Sequence, residues 1–80
     1  MSEEKTKLLS EIPAGQTVKL VNVDAGPGLN SRLASMGLVP NVEIKVVNNS
    51  HPGPFVINVK NSRIALGRGM ANKIRVKNTA

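Results

Sequence analysis

The sequence of 80 residues contains no cysteine, no tryptophan and no tyrosine, and Phe55 is its single aromatic residue. Without cysteine, disulfides and thiolate metal sites are excluded, so the fold has to be held together by its core alone. That core must be built from valine, isoleucine, leucine and methionine, which suits strands and short helices. A chain of this length has room for one such core, and we therefore expect a single domain.

Long apolar runs are also absent, although apolar residues make up 40% of the chain. The longest runs are far too short to cross a bilayer, and residues 1–10 lack the hydrophobic segment of a secretory signal peptide. We therefore expect a cytoplasmic protein. Its single domain is expected at 8–77, between a flexible N-terminus at 1–7 and a flexible C-terminus at 78–80.

Acidic residues are missing from the second part of the chain. All five acids lie before residue 46 together with five of the eleven basic residues, whereas residues 46–80 hold six basic residues and no acid. The second part therefore carries the whole net charge of +6. A field of one sign attracts acidic protein surfaces, anionic lipid headgroups or nucleic acid. Surplus surface lysine that serves solubility alone is an equally open interpretation.

Short runs of β-branched residues, separated by turn signals, dominate what is present. The alternation of apolar residues predicts strands at 17–24, 42–47, 55–60, 63–67 and 74–77, with a hairpin loop at 48–54 and a tight turn at Asn61–Ser62. Apolar residues on both faces of the first of these strands indicate a bulge or a strand covered on both sides. Residues 8–15 are compatible with a leading strand or one helical turn, 25–28 with a loop, and 68–73 with a further helical turn. The pattern favours a mostly β protein, a small antiparallel barrel.

The segment SRLASMGLVPN, residues 31–41, predicts a helix on its N-terminal side. Leu29, Leu33 and Met36 recur at helical spacing and indicate a short helix over 29–36, lying across one open end of the barrel with Leu33 buried.

The end of this helix is encoded just as locally. Gly37 stands where a left-handed residue terminates a helix, so Leu33 and Leu38 would make the hydrophobic contact of a Schellman ending. Pro40 prevents helical continuation, and Asn41 in a left-handed conformation completes a turn into the next strand. The segment therefore predicts a sharp helix-to-strand corner.

Residues suited to metal binding or catalysis are few. His51 is the one histidine, and no carboxylate lies within seven residues of it, so we interpret it as a solvated loop residue. Glu3 and Glu4 lie in the flexible terminus. The chain shows no Ser-His-Asp spacing, no paired carboxylates and no GK[ST] ending on its glycine-rich segment. We therefore expect no enzyme, no cofactor and no stable metal site within one chain.

A basic β-barrel that binds nucleic acid is the alternative function. The net charge would attract phosphates, but such barrels normally stack bases on aromatic side chains, worth about 1–3 kcal/mol per base. With one aromatic residue, binding would be mostly electrostatic and sensitive to salt, so nucleic acid is ranked second as a partner.

Two segments carry a resemblance to a known family. RLASMGLVPN at 32–41 and IALGRGMANKIRV at 64–76, in an order of elements that extends over about residues 9–77, resemble the FeoA family, small cytoplasmic proteins of bacterial ferrous-iron uptake. Asn41 and Asn61 stand where the family often has glycine. Asparagine tolerates the left-handed conformation that such turns need, so these departures leave the expected fold unchanged.

This resemblance implies a fold, a partner and a location. The fold is an SH3-like barrel of about five antiparallel strands with one short α-helix and a further helical turn. The implied partner is the cytoplasmic part of the FeoB-type ferrous-iron transporter, a membrane protein with a GTPase domain. The implied location is the cytoplasm, including peripheral association with the inner face of the plasma membrane. The same type of barrel occurs as the C-terminal domain of metal-dependent repressors, but this chain lacks their helix-turn-helix.

Two surfaces are candidates for binding the partner. We assign specificity to the corner helix, because short segments mounted on a rigid barrel commonly carry recognition. We assign steering towards an acidic protein or lipid surface to the basic stretch near the C-terminus. The residues concerned are Arg32, Leu33, Ser35 and Met36 on the corner helix, and Arg68, Lys73 and Arg75 on the basic stretch. An Arg32 that only shields the end of the barrel is equally compatible with the pattern.

Overall fold

A computed structural model describes residues 5–50 and 53–79 of the chain. Six strands form one antiparallel sheet in the order β1-β6-β2-β3-β4-β5. Their bounds are β1 (Lys7–Leu8), β2 (Thr17–Val23), β3 (Glu43–Asn48), β4 (Phe55–Val59), β5 (Ser62–Leu66) and β6 (Ile74–Asn78). A 3-10 helix (Leu9–Glu11) follows β1, helix α1 (Pro27–Ser35) joins β2 to β3, and helix α2 (Arg68–Ala71) joins β5 to β6. The mostly β prediction is confirmed.

Alternation along the strands decides which side chains form the core. Val42, Ile44 and Val46 are buried around and within β3, and β4 buries its own alternate residues from Phe55 to Val59. Within the described ranges every fully buried side chain is apolar. The strand face that the sequence pattern assigned to the interior is therefore the interior face.

A bulge in β2 explains why its sequence is apolar on both faces. Leu20 pairs with Val76 of β6, whereas Asn22 pairs with Arg75, so Val21 is an extra residue on the β2 side. A bulge of this kind shifts the following side chains to the opposite face. Asn22 is consequently directed outward although it lies two residues after the buried Leu20.

The hairpin between β4 and β5 differs by one residue from its prediction. Val59 and Ser62 are cross-strand partners, so the turn consists of Lys60 and Asn61 rather than Asn61 and Ser62. Both turn residues have positive φ, 51° and 68°. That combination is typical of two-residue hairpin turns, whose twist matches that of the flanking strands.

The sheet extends slightly beyond the expected domain at both ends, because β1 begins at Lys7 and β6 ends at Asn78. Residues 8–15 contain both predicted alternatives, the end of a two-residue strand and then a 3-10 turn. The interpretations of Glu3, Glu4 and His51 concern positions outside the described residues.

Candidate interaction surface

Helix α1 begins two residues before its predicted start. Pro27 occupies the first helical position, where its fixed φ fits the helix and its missing N–H removes no hydrogen bond. Asn30 N–H donates to the Gly26 carbonyl at 2.9 Å and closes the first turn. The predicted loop at 25–28 is therefore wrong in its second half, because Pro27 and Gly28 belong to the helix.

The end of α1 has the predicted Schellman geometry. Leu38 N–H donates to the Leu33 carbonyl at 2.9 Å, and Gly37 N–H donates to the Ala34 carbonyl at 3.0 Å. Gly37 has a φ of 96°, and Leu33 and Leu38 are both buried. Asn41 follows with a φ of 73°, so the corner adopts the conformation that its residue types favour.

The predicted specificity residues divide between the surface and the core. Arg32, Ser35 and Met36 are exposed, and Met36, at 44% exposure, is a large apolar side chain in contact with solvent. Leu33 is only 3% exposed, so it positions the helix and is not available to a partner. Ser35 Oγ donates to the Arg32 carbonyl at 2.7 Å and satisfies part of the helix end.

A groove of about 260 Å³ runs between α1 and β2. Its lining is mostly apolar and comes from β2, α1 and the segment after α1, namely Leu20, Asn22, Val23, Asn30, Ala34, Leu38, Val39 and Pro40. Arg75 is the cross-strand partner of Asn22. One residue of the basic stretch therefore lies next to Asn22, which lines the groove.

Arg68 is engaged within the molecule. Its guanidinium donates to Asn49 Oδ1 at 2.7 Å and to the Ser50 carbonyl at 2.8 Å. The same group lies 5.8 Å from the ring centroid of Phe55, and Asn49 in turn donates to the Ile12 carbonyl at 2.8 Å. Arg68 is half-buried and holds Asn49 and Ser50, the residues that follow β3, beside the core. Of the predicted basic stretch, Lys73 and Arg75 are the exposed members.

A basic surface on the outside of the sheet, which we call the basic face, was not predicted from the sequence. It consists of Lys19, Lys45, Lys60, Arg63 and Lys77. Lys19 and Lys45 come from the first part of the chain, whose net charge is zero. Comparing the net charges of the two parts of the chain therefore did not reveal them. Only strand register shows which of these charges are neighbours.

The described part of the chain contains no group of three or more histidine, aspartate or glutamate side chains arranged to hold a metal ion. Within residues 5–50 and 53–79, no helix has the length and apolar character needed to cross a membrane.

The FeoA domain matches residues 7–78, nearly the whole chain. The chain belongs to the FeoA family. It is similar to a putative Fe(2+) transport protein A of Methanocaldococcus jannaschii, with 44% identity over 63 residues, which cover 79% of this chain and 76% of that protein. The chain is thus a FeoA-family protein of ferrous-iron transport, as its corner and closing segments indicated.

Solved structures agree with this assignment and with an SH3-like barrel. A crystal structure of an iron uptake regulatory protein (FeoA) shares 34% identity and a TM-score of 0.83, covering 91% of this chain and 97% of that one. The solution structure of FeoA from Chlorobium tepidum shares 30% identity with the same TM-score, covering 92% of this chain and 71% of that one. A manganese-dependent transcriptional repressor has a TM-score of 0.84 at 20% identity, over 98% of this chain and 44% of the repressor, a likeness of fold alone.

Proposed function

We propose that this FeoA-family protein is a non-enzymatic accessory of ferrous-iron transport that binds the cytoplasmic part of the FeoB-type transporter. It acts in the cytoplasm, at the inner face of the membrane that holds the transporter. The observation that carries the proposal is the apolar groove between α1 and β2, with the exposed Met36 at the end of the same helix.

The groove has the composition of a protein-binding surface. Interfaces combine an apolar centre with a polar rim, and methionine and arginine are enriched in them. Here Leu38, Val39 and Pro40 supply apolar lining, and Asn30 supplies an amide that can pair with a partner. Arg32 on α1 adds a positive charge on the same helix. This arrangement favours an acidic partner with at least one apolar anchoring side chain.

A binding role fits the groove better than a catalytic one. None of the described residues that line it has a titratable side chain. General acid–base and nucleophilic catalysis require such groups within reach of the substrate. We therefore assign recognition, not chemistry, to this site.

Nucleic-acid binding is supported less well. Phe55 is fully buried, so it offers no surface on which a base could stack. A basic barrel without such a platform binds phosphates through charge alone, and that binding weakens steeply as the salt concentration rises.

Binding of the full chain to the purified cytoplasmic part of the transporter tests the proposal. Arg32→Glu should weaken equilibrium affinity at least about tenfold, and Ala34→Gln should weaken it by partly filling the groove. Arg63→Glu, an equal charge reversal on β5, is the matched control and should change affinity much less. An unchanged affinity for both the Arg32→Glu and the Ala34→Gln variants in folded protein would refute the assignment of specificity to the corner.

A second measurement separates steering from recognition. Lys73→Glu combined with Arg75→Glu should mainly slow association and flatten its salt dependence, because exposed rim charges act on encounter rates. Loss of affinity through faster dissociation alone would contradict this division. Oligonucleotide binding that survives physiological salt, with no capture of the transporter, would favour the nucleic-acid alternative.

A further inference from the structure

We infer that the basic face of the sheet, Lys19, Lys45, Lys60, Arg63 and Lys77, docks on the anionic headgroup layer of a lipid bilayer. This inference deepens the proposed function and rests on it only for the location beside a membrane. The surface is distinct from the groove at α1, so binding to lipid and binding to the transporter can be tested separately.

Strand register places these charges side by side. Lys19 on β2 is the cross-strand partner of Lys77 on one side and of Glu43 on the other. In the neighbouring row, Asn58 on β4 pairs with both Lys45 and Arg63. Directly paired residues of antiparallel strands project from the same face, and adjacent strands lie about 4.8 Å apart. Charges from four strands and from Lys60 in the β4–β5 turn are thereby gathered on one surface.

A shallow cavity of about 480 Å³ lies within this surface. Lys45 and Lys60 line it together with Thr17, Asn58 and Asn61. Two ammonium groups with neighbouring hydroxyl and amide donors suit the phosphate of a headgroup. Lys45, Lys60 and Arg63 are exposed, and Lys19 and Lys77 are half-buried.

The chemistry of the face distinguishes a headgroup layer from other acidic partners. Four of its five basic residues are lysine, which is depleted in protein–protein interfaces, whereas aromatic residues are enriched there. Among the described residues, Met36 is the large apolar side chain that is exposed. It lies at the end of α1 and not on the sheet. A negatively charged leaflet attracts clustered lysines without any apolar anchor.

Glu43 gives the inference a sharp internal test. Among the described residues it is the acid on this face, where it lies opposite Lys19 and lines the cavity beside Lys45. Its negative charge opposes attraction to a headgroup layer. Removing that charge should therefore strengthen vesicle binding, which is a gain that damage to the fold does not produce.

Co-sedimentation of the full chain with vesicles tests the inference. Vesicles of phosphatidylcholine are compared with vesicles of equal parts phosphatidylglycerol and phosphatidylcholine, at low and at physiological salt. We expect binding to the anionic vesicles alone, weakening as salt rises. Lys45→Gln with Lys60→Asn should lower the partition coefficient about 30-fold, which at 1.4 kcal/mol per tenfold is about 1 kcal/mol per lysine. Asparagine is chosen at 60 because it tolerates the positive φ there.

Arg32→Gln with Lys73→Gln is the matched control. It has the same net charge as the Lys45→Gln, Lys60→Asn variant, but the charges it loses lie outside the basic face. It should lower the partition coefficient less than about threefold, and Glu43→Gln should raise it roughly fivefold. If Lys45→Gln with Lys60→Asn does not fold, the direction of the Glu43→Gln effect decides the question.

Three results would overturn the inference. The first is an equal loss of binding in the two double variants, which would show that only net charge matters. The second is binding to neutral vesicles as strong as to anionic ones. The third is a stronger affinity for a single-stranded oligonucleotide than for anionic vesicles at matched phosphate concentration. None of these results would affect capture of the transporter, so failure of this inference is distinguishable from failure of the proposed function.

Discussion

Arg68 was predicted to be a surface charge, but its half-buried side chain packs over the core. Its guanidinium spans Asn49 and the Ser50 carbonyl, and it lies over the buried ring of Phe55. The Nε atom is buried and has no hydrogen-bond partner among the described residues, so the stem of the side chain is well enclosed. Asn49 and Ser50 are thereby connected to α2, which is distant in sequence.

Arg68→Met should lower the free energy of unfolding by about 1–2 kcal/mol. Methionine retains an apolar stem over Phe55 but loses two donors, each worth about 1 kcal/mol. Lys73→Met is the control, because Lys73 is exposed and should change stability by less than about 0.5 kcal/mol. Urea denaturation measures the free energy of unfolding of both variants, provided that its dependence on urea concentration is unchanged. Equal midpoints for the two variants would contradict the structural role of Arg68.

Two glycines near α1 are expected to respond oppositely to alanine. A Cβ at Gly37 would meet Val59 Cγ1 at 3.6 Å, an ordinary contact, so the cost of Gly37→Ala comes from its φ of 96°. That cost is about 1–2 kcal/mol, and Gly37→Val should cost more because β-branched residues resist positive φ. Gly28 lies inside the helix with nothing within 4 Å of a built Cβ, so Gly28→Ala should add roughly 0.5 kcal/mol. Thermal unfolding of both variants checks the opposite signs.

At the scale of elements, α1 depends on the barrel for its stability. A helix of nine residues is marginal in isolation, and this one has no side-chain N-cap hydrogen bond. Its anchors are the buried Leu33 and the Schellman contact with Leu38. The position of the candidate recognition surface therefore rests on a small number of buried atoms.

Leu33→Ala should lower the free energy of unfolding by about 2–5 kcal/mol, as truncation of a buried leucine does. Ser31→Ala, on the exposed side of the same helix, should change it by less than about 0.5 kcal/mol. Chemical denaturation of both variants provides the measurement. A wild-type midpoint for Leu33→Ala would mean that the helix is not anchored as described.

At the scale of the whole molecule, charge is distributed by the sheet and not by position along the chain. Lys19 and Lys45 come from the neutral first part, yet they lie among the charges of the second part on the basic face. The apolar groove lies at another part of the surface, beside α1. One small barrel thus presents an apolar surface and an electrostatic one, which fits the two proposed roles of binding a transporter and docking on a headgroup layer.

Ferrous iron is expected not to bind the isolated chain at a stoichiometric site. The chain has one histidine and no cysteine, and its described residues contain no cluster of three metal-ligating side chains. Hard and borderline cations need several converging ligands for tight binding. Anaerobic calorimetry on the full chain should show only weak heats that fall with salt. One sub-micromolar site per chain would contradict this expectation.

The sequence by itself determined the features that depend on near neighbours along the chain. The helix ending at Gly37, the left-handed Asn41 and the alternation that buries Ile44 were all predictable, because φ preferences and side-chain direction are local properties. The bulge in β2 was one of the two structures predicted from its apolar residues, which alternate locally onto both faces of the strand. Membership of the FeoA family was evident from the segments at 32–41 and 64–76, because their order of residue types along the chain resembles that of the family.

Only the tertiary structure decided which distant residues meet. Alternation in residues 8–15 left a leading strand and a helical turn both open, and the pairing of Lys7 and Leu8 with β6 decided where the strand lies. The cover of Phe55 by Arg68, and the adjacency of Lys19 and Lys77, likewise depend on contacts between chain segments far apart. Such contacts are set by strand register and by packing of the whole core, and a one-residue change in register would move every outer side chain inward.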